Sequence, residues 1–326
     1  MAESGANGEV GRVFGQRVLR TEDLGLLTGG ATFVDDISLP DIAHAVFVRS
    51  PHPHALIQSI NVVDAMSAEG VLAVYTLDDF RPHLTATRLP TSLPDPKQSP
   101  TTSPGVLANG EVSHVGEAIA IVVADTRHRA EDAAALVEID YEILSSVSDC
   151  REAVTPDASL VHSELENNIA VNRSVEYGDC DTAFAEAAHV FRETLWQHKG
   201  AAQSLECRGV LAKFDEQEDL LTVWSSTQVP HRVRVLVAGL LGLDDPKVRI
   251  VAPSVGGGFG PKFLMYPEDT AIALAARLLG QPVKWIEDRQ EYFSATAHER
   301  DQFWDLEVAV DEAGHLLGVR GSMIHD

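Results

Sequence analysis

A glutamine closes the apolar run LLTVWSSTQ at residues 220–228, and four glycines crowd around Phe259 at residues 256–260, in VGGGFGPKF. A packed core seldom uses so many glycines together, because each loses much conformational freedom on folding and buries no side chain. The pattern does offer a row of unshielded main-chain N–H groups between the strand-like KVRIVAP and a helix beginning after Tyr266. Such a row suits an anionic or oxo ligand; close packing of the backbone is the other use of the same glycines. Neither familiar phosphate motif fits. A Walker A loop needs Gly directly before Lys and then Ser or Thr, whereas this chain has Pro261, Lys262 and Phe263. The dinucleotide pattern G-x-G-x-x-G fails at Pro261 counted from Gly256 and at Phe263 counted from Gly258. Gln228 alone has the type and place of a hydrogen-bonding turn residue. The two signals gain weight together, because two strands separated by one helix deliver Gln228 and Phe259 to one sheet edge, where open α/β sheets bind ligands.

The positioning elements follow from pattern and punctuation. PHRVRVLVAGLLG has helical spacing and stops at Gly242, and YPEDTAIALAARLLG stops at Gly280. GVLAKFDEQEDLLTVWSST predicts a hairpin with an acidic turn, PVKWIEDR a strand, and RDQFWDLEVAVDEAGHLLGVRGSMIHD a second hairpin. Further upstream, EAIAIVVADTRHRAEDAAALVEIDYE predicts an apolar strand, an Ala-rich helix from Arg127 and an alternating strand at 137–141, together a β-α-β unit. Residues 81–106, dense in Pro, Ser and Thr, form a long loop suited to a lid or a docking segment. The Gly-rich polar residues 1–19 have the composition of an N-terminal arm. Turn residues near Asp149 separate two units, and no internal repeat is present.

Composition narrows the classes of partner. At 326 residues and 44% hydrophobic content the chain is long enough for about two domains. Its 25 Lys and Arg against 49 Asp and Glu give a net charge of −24, which repels nucleic acid and anionic membrane surfaces. The start has no apolar leader and no stretch reaches the length of a membrane span, so a cytoplasmic location is expected. Cys150, Cys180 and Cys207 are too dispersed for a disulfide framework or a thiolate cage, and Cys207 lacks the His and Asp partners of a nucleophile. The histidines His44, His52 and His54 invite comparison with a metal site, but a structural or surface role is expected for them.

The order of QHKGAAQSLECRGVLAKFD, WSSTQ, VGGGFGPK and PVKWIEDRQEYFSATAHERDQ resembles the large subunit of the molybdenum hydroxylases, the family of xanthine dehydrogenase, aldehyde oxidase and carbon monoxide dehydrogenase. The last of these motifs is most similar to the carbon monoxide dehydrogenase-like branch. The resemblance covers essentially the whole chain. It implies an α+β fold: an α/β hammerhead domain at 20–147, carrying RTEDLGLLTGGATFVDDI and VGEAIAIVVADTRHRAEDAAALVEIDYE, then a first molybdopterin-binding domain at 148–326.

The same resemblance implies a molybdenum-dependent oxidoreductase using molybdopterin, in its cytosine dinucleotide form. Gln228 would hydrogen-bond a molybdenum oxo ligand, and Gly257, Gly258, Phe259 and Gly260 would line the cofactor. Glu206, in SLECRG, is a further cofactor-side position; pairing with Arg208 or a neighbour is its alternative. The protein would ligate no metal directly, the dithiolene of the cofactor holding it. FAD and 2Fe–2S clusters would sit on partner subunits, a flavin subunit and an iron–sulfur subunit, since three cysteines are too few for a cluster here. The family's second cofactor domain, with its general-base Glu and any copper-binding Cys, is expected on further polypeptide, so this chain alone is expected to be inactive. Xanthine-type members carry Glu where this chain has Phe263, which weakens a purine substrate and leaves aldehydes, N-heterocycles and carbon monoxide. A non-catalytic cofactor-binding or assembly protein derived from the subunit is the alternative.

Overall fold

The computed structural model describes residues 14–90 and 102–326. Most of the N-terminal arm and the middle of the 81–106 loop therefore lie outside the described residues. The first half contains β1 (Ala43–Arg49), β2 (Ala55–Asn61), β3 (Val71–Thr76), β4 (Glu111–Val112), β5 (Ala118–Ala124), helix α1 (Arg127–Ala134) and β6 (Glu138–Ile143). The second contains β7 (His189–Gln197), β8 (Gly209–Asp215), β9 (Leu220–Ser225), α2 (Pro230–Leu241), β10 (Val248–Val251), α3 (Pro267–Leu279), β11 (Val283–Ile286), α4 (Arg289–Ala295), β12 (Gln302–Val310) and β13 (Leu316–His325). Among the described residues no helix is long and apolar enough to cross a membrane.

One seven-stranded sheet, in the order β10-β9-β8-β11-β1-β5-β3, takes strands from both halves. They meet where β1 runs parallel to β11, with Ala43 opposite Val283. The strand β5, AIAIVVA, is buried along its whole length, as a central strand covered on both faces must be. Helix α3 lies on the sheet with Ala271, Ala273, Ala275 and Ala276 buried, small side chains that allow close approach to the strands beneath. Phe47 of β1 meets Trp285 of β11 edge to face, 5.3 Å between ring centres, inside a core that also includes Ile121 and Leu236. Gly242 and Gly280 close α2 and α3 in left-handed conformation, as their sequence positions predict.

The predicted β-α-β unit at 118–141 is built differently. The strands β5 and β6 flank α1 in the chain, but β6 joins a separate sheet, β4-β2-β6. EIDYEI alternates charged and apolar residues and can be covered on one face only, whereas β5 is apolar throughout, so the two cannot share the interior of one sheet. By contrast β9, α2 and β10 do form a parallel crossover at the edge of the large sheet. His54 is buried between the carbonyl of Ser145 and Glu111, and His52 packs against the Tyr141 ring, both structural placements.

A buried ionic network ties the halves together. Arg208 donates to Glu287 at 2.6 Å and to Glu268 at 3.0 Å, while Arg49 of β1 donates to Glu268 at 2.9 Å and to Glu291 of α4 at 2.8 Å. Thr296 adds a hydroxyl to Glu287, and the Arg208 guanidinium lies 3.9 Å from the centre of the Tyr266 ring. Burial opposes the charge on Glu268, yet Arg208 and Arg49 outweigh it and hold that carboxyl down at about 2. Among the described residues the adjacent Asp269 has the Ser225 hydroxyl as its one side-chain partner, and burial pushes it up to about 6.

Replacing Arg208 with Ala leaves Glu268 and Glu287 buried without their shared cation and is expected to cost about 3–5 kcal/mol, measured by denaturant unfolding. Asp269 has the opposite pH signature. Because its folded value lies above its unfolded value, it favours folding most at low pH, and that contribution falls between about pH 4 and 6 as the unfolded carboxyl ionises first. Unfolding free energies of Asp269→Asn across that window should therefore decline less with pH than those of the parent.

Candidate functional site

The site is assembled at the β9–β10 edge. Gln228 follows β9 and the loop 255–260 follows β10, with α2 between them. The Gln228 main chain is fixed by its N–H donating to the Lys262 carbonyl at 2.9 Å, and the Thr227 hydroxyl donates to the same oxygen. Its side-chain amide is exposed and makes no hydrogen bond among the described residues. A Cβ on Gly258 would stand 2.5 Å from the Gln228 Oε1, so any larger residue there would displace the Gln228 side chain from this position.

The loop itself is held from below. Lys262, almost completely buried, donates from Nζ to the Glu206 carbonyl at 2.9 Å and to its carboxylate at 2.7 Å. That carboxylate accepts the Gly256 N–H at 2.7 Å, and the Glu206 N–H donates back to the Gly256 carbonyl at 3.1 Å. Burial pushes Lys262 below the ordinary lysine range, against the pull of Glu206. Above this clamp the N–H groups of Gly257, Gly258, Phe259 and Gly260 have no acceptor among the described residues. Such a run of free amides has the donor chemistry that an anion or oxo ligand accepts. Phe259 takes a left-handed φ of 50° and is 73% exposed as a residue. A strained backbone that presents a large apolar ring to solvent serves the stability of this chain poorly and suits a surface made for a ligand.

The structure thus brings Gln228, Gly257, Gly258, Phe259 and Gly260 together. Glu206 lies beneath them with its carboxylate engaged by Lys262 and Gly256, not by Arg208, whose own partners are Glu268 and Glu287. Sequence reasoning missed Lys262 as the clamp; a lysine directly after G-P beside a glycine run is the signal that could have found it. Burial pushes the Cys207 thiol up, away from nucleophilic use. Among the described residues no group of three or more His, Cys, Asp or Glu side chains is placed to hold a metal ion.

The family model described as "Molybdopterin cofactor-binding domain" matches residues 161–326, half of the chain. The chain belongs to the molybdenum hydroxylase large-subunit family. Residues 28–145 match the family's aldehyde oxidase and xanthine dehydrogenase a/b hammerhead domain. A nicotine 6-hydroxylase large subunit from Paenarthrobacter nicotinovorans is 36% identical over 96% of this chain and 38% of its own length. The quinoline 2-oxidoreductase structure from Pseudomonas putida 86 superimposes with a TM-score of 0.86 at 34% identity, over 94% of this chain and 38% of that one. A nicotinate dehydrogenase large molybdopterin subunit from Eubacterium barkeri is 30% identical, with 97% of this chain aligned and 71% of the relative covered. The chain therefore spans under two-fifths of the first two molybdenum hydroxylase chains and most of the third.

Gly258→Ala tests the arrangement without loading the cofactor. Its φ lies in the ordinary region and the obstructing atoms belong to an exposed side chain, so stability should change by no more than about 0.5 kcal/mol. The Gln228 side-chain amide signal in a 15N NMR spectrum should nevertheless move, because the new methyl group occupies its place.

Proposed function

We propose that this chain supplies the N-terminal part of the molybdopterin-binding subunit of a molybdenum hydroxylase, with the hammerhead unit at 20–147 and the first cofactor domain at 148–326. The observation that carries the reading is the row of four free amides at residues 257–260 beside the unpaired amide of Gln228. When bound, the molybdenum cofactor, here the cytosine dinucleotide form, supplies the redox chemistry that hydroxylates a small electrophilic substrate with water as oxygen source. The residues of this chain bind and orient it. Gln228 and the main-chain N–H groups of Phe259 and Gly260 donate to its oxygen-bearing end. The Phe259 ring walls off one side and excludes water, and Glu206 with Lys262 keeps the loop in register beneath.

The general base would come from polypeptide outside these residues, and 2Fe–2S clusters and FAD on partner subunits in the cytoplasm would supply the electron-accepting chemistry. Phe263, half-exposed beside Arg232, provides an apolar wall where xanthine-type members use a carboxylate. Nicotine and quinoline, named for the relatives, are the first N-heterocycles to assay, ahead of aldehydes and carbon monoxide.

The deciding measurement is molybdenum, pterin, flavin and iron content of the native assembly purified through this chain. Molybdenum near one per chain is expected, and an assembly free of molybdenum and pterin refutes the reading. Within the loaded enzyme, Gln228→Ala should slow turnover about 100-fold while molybdenum content stays unchanged. Parent rates in that variant would remove the role given to Gln228.

A further inference from the structure

His54 has both ring nitrogens committed. It lies just ahead of β2 and is 4% exposed, with Nδ1 2.8 Å from the Ser145 carbonyl and Nε2 2.8 Å from the Glu111 carboxylate of β4. A carbonyl oxygen can only accept, so Nδ1 carries a hydrogen. The carboxylate is an acceptor as well. Burial opposes its charge, yet hydrogen bonds from Ser163 and His54 outweigh that and hold Glu111 below the usual carboxylate range. Nε2 therefore needs a hydrogen too, whereas a neutral imidazole has one N–H for the two partners. Only the imidazolium satisfies both.

What this pair holds is the connector between the two matched regions, the first of which ends at residue 145 and the second of which begins at residue 161. Ser145 stands at one end of it, bonded to His54. Ser163 stands at the other, and donates to the same Glu111 oxygen that faces Nε2, at 3.0 Å from its N–H and 2.5 Å from its hydroxyl. The Leu144 N–H donates to the His54 carbonyl at 3.0 Å and fixes the near end to the same residue. Between the two ends the Arg151 guanidinium lies 3.9 Å from the centre of the Phe303 ring, so the connector also reaches the third sheet, β13-β12-β7. Other ionisable groups surround the pair. His114 lines the same cavity as His54 and lies 3.5 Å from Glu117, and His52 packs on Tyr141. Burial, with Arg88 adding to it against Glu111, Glu117 and Glu164, pushes His162 below the ordinary histidine range. Among the described residues none of these groups hydrogen-bonds to the His54 ring.

We propose that His54 and Glu111 form a proton-dependent clip on the connector between the hammerhead and the cofactor domain. The clip is closed while the imidazole carries both hydrogens. When one leaves for water, a ring nitrogen turns a lone pair toward an oxygen and that contact is lost. Histidine is the side chain that changes charge between about pH 5 and 8, so opening belongs to the neutral and alkaline side. The sign follows from linkage: a cation that its partners favour in the folded state adds stability at low pH, and the addition disappears as pH rises. Because Ser145 and Ser163 close on one pair, a single proton governs both ends of the connector. The clip does not depend on what the glycine loop binds.

The test is hydrogen–deuterium exchange of the native assembly at about pH 6 and about pH 9, two values on either side of the imidazole charge change, with each rate normalised to the intrinsic rate at that pH. The amides of Leu144 and Ser163 should lose about 10-fold of their protection at the higher pH, the worth of one hydrogen bond to a charged group, while peptides from β5 keep theirs. Equal protection at both pH values overturns the proposal, and so does a loss that extends equally to β5. Variants assign the step. His54→Gln can donate to one partner at most, so its connector should be open at both pH values, whereas His114→Gln and His162→Gln should keep the step of the parent. A step that survives His54→Gln, or that vanishes in His114→Gln or His162→Gln, gives the proton to another group and overturns the clip. Glu111→Gln keeps the imidazole and removes the charge that holds its second hydrogen, which guards against misfolding of the His54 variant. It too should abolish the step, and an unchanged step in it refutes the pairing.

Discussion

Two arginines and three glutamates, taken out of water together, decide how this molecule is put together. Arg49 enters from β1, Arg208 from the lead into β8, Glu268 from the start of α3, Glu287 from the end of β11 and Glu291 from α4. Each charge alone is costly to bury, so the segments are held to the one geometry in which all are paired. The site inherits this precision. Glu268 begins the helix that follows the glycine loop, and Arg208 stands two residues beyond Glu206, so the clamp beneath the loop is anchored at both ends.

What the sequence showed and what it hid divide along physical lines. Elements whose signals are local were readable: Gly242 and Gly280 stop α2 and α3, the acidic turn joins β8 to β9, and a strand–helix–strand segment puts Gln228 and Phe259 at one edge. Pairings between distant residues were not. Nothing near Glu206 shows that its partner is Lys262 rather than Arg208, because that choice depends on how the chain after β10 folds back. The 118–141 segment has the order of a β-α-β unit, yet only the contrast between an all-apolar β5 and an alternating β6 shows that the two strands belong to different sheets. The roles proposed for Gln228 and the loop came from family resemblance; the geometry adds that their donors are free and adjacent.

The loop and the third sheet share a trait. Both leave apolar side chains uncovered: Phe259 holds a left-handed backbone with an exposed ring, and β7 exposes all nine of its residues. Features of that kind belong to a surface whose energetic balance closes only when something else is bound.

The seven-stranded sheet has a consequence for synthesis. Sequence divides the chain into two matched regions, but β1 finds its parallel neighbour only in β11, and Arg49 reaches Glu291 across 242 residues. A ribosome releasing the first region releases a sheet with one flank open and a buried-type arginine without its acids. That strand edge must stay unpaired until Val283–Ile286 has emerged, an interval in which it can pair wrongly. The nascent first region is thus a predictable client for chaperones, and a gene cut between the two regions would yield two pieces each lacking half of a common interior.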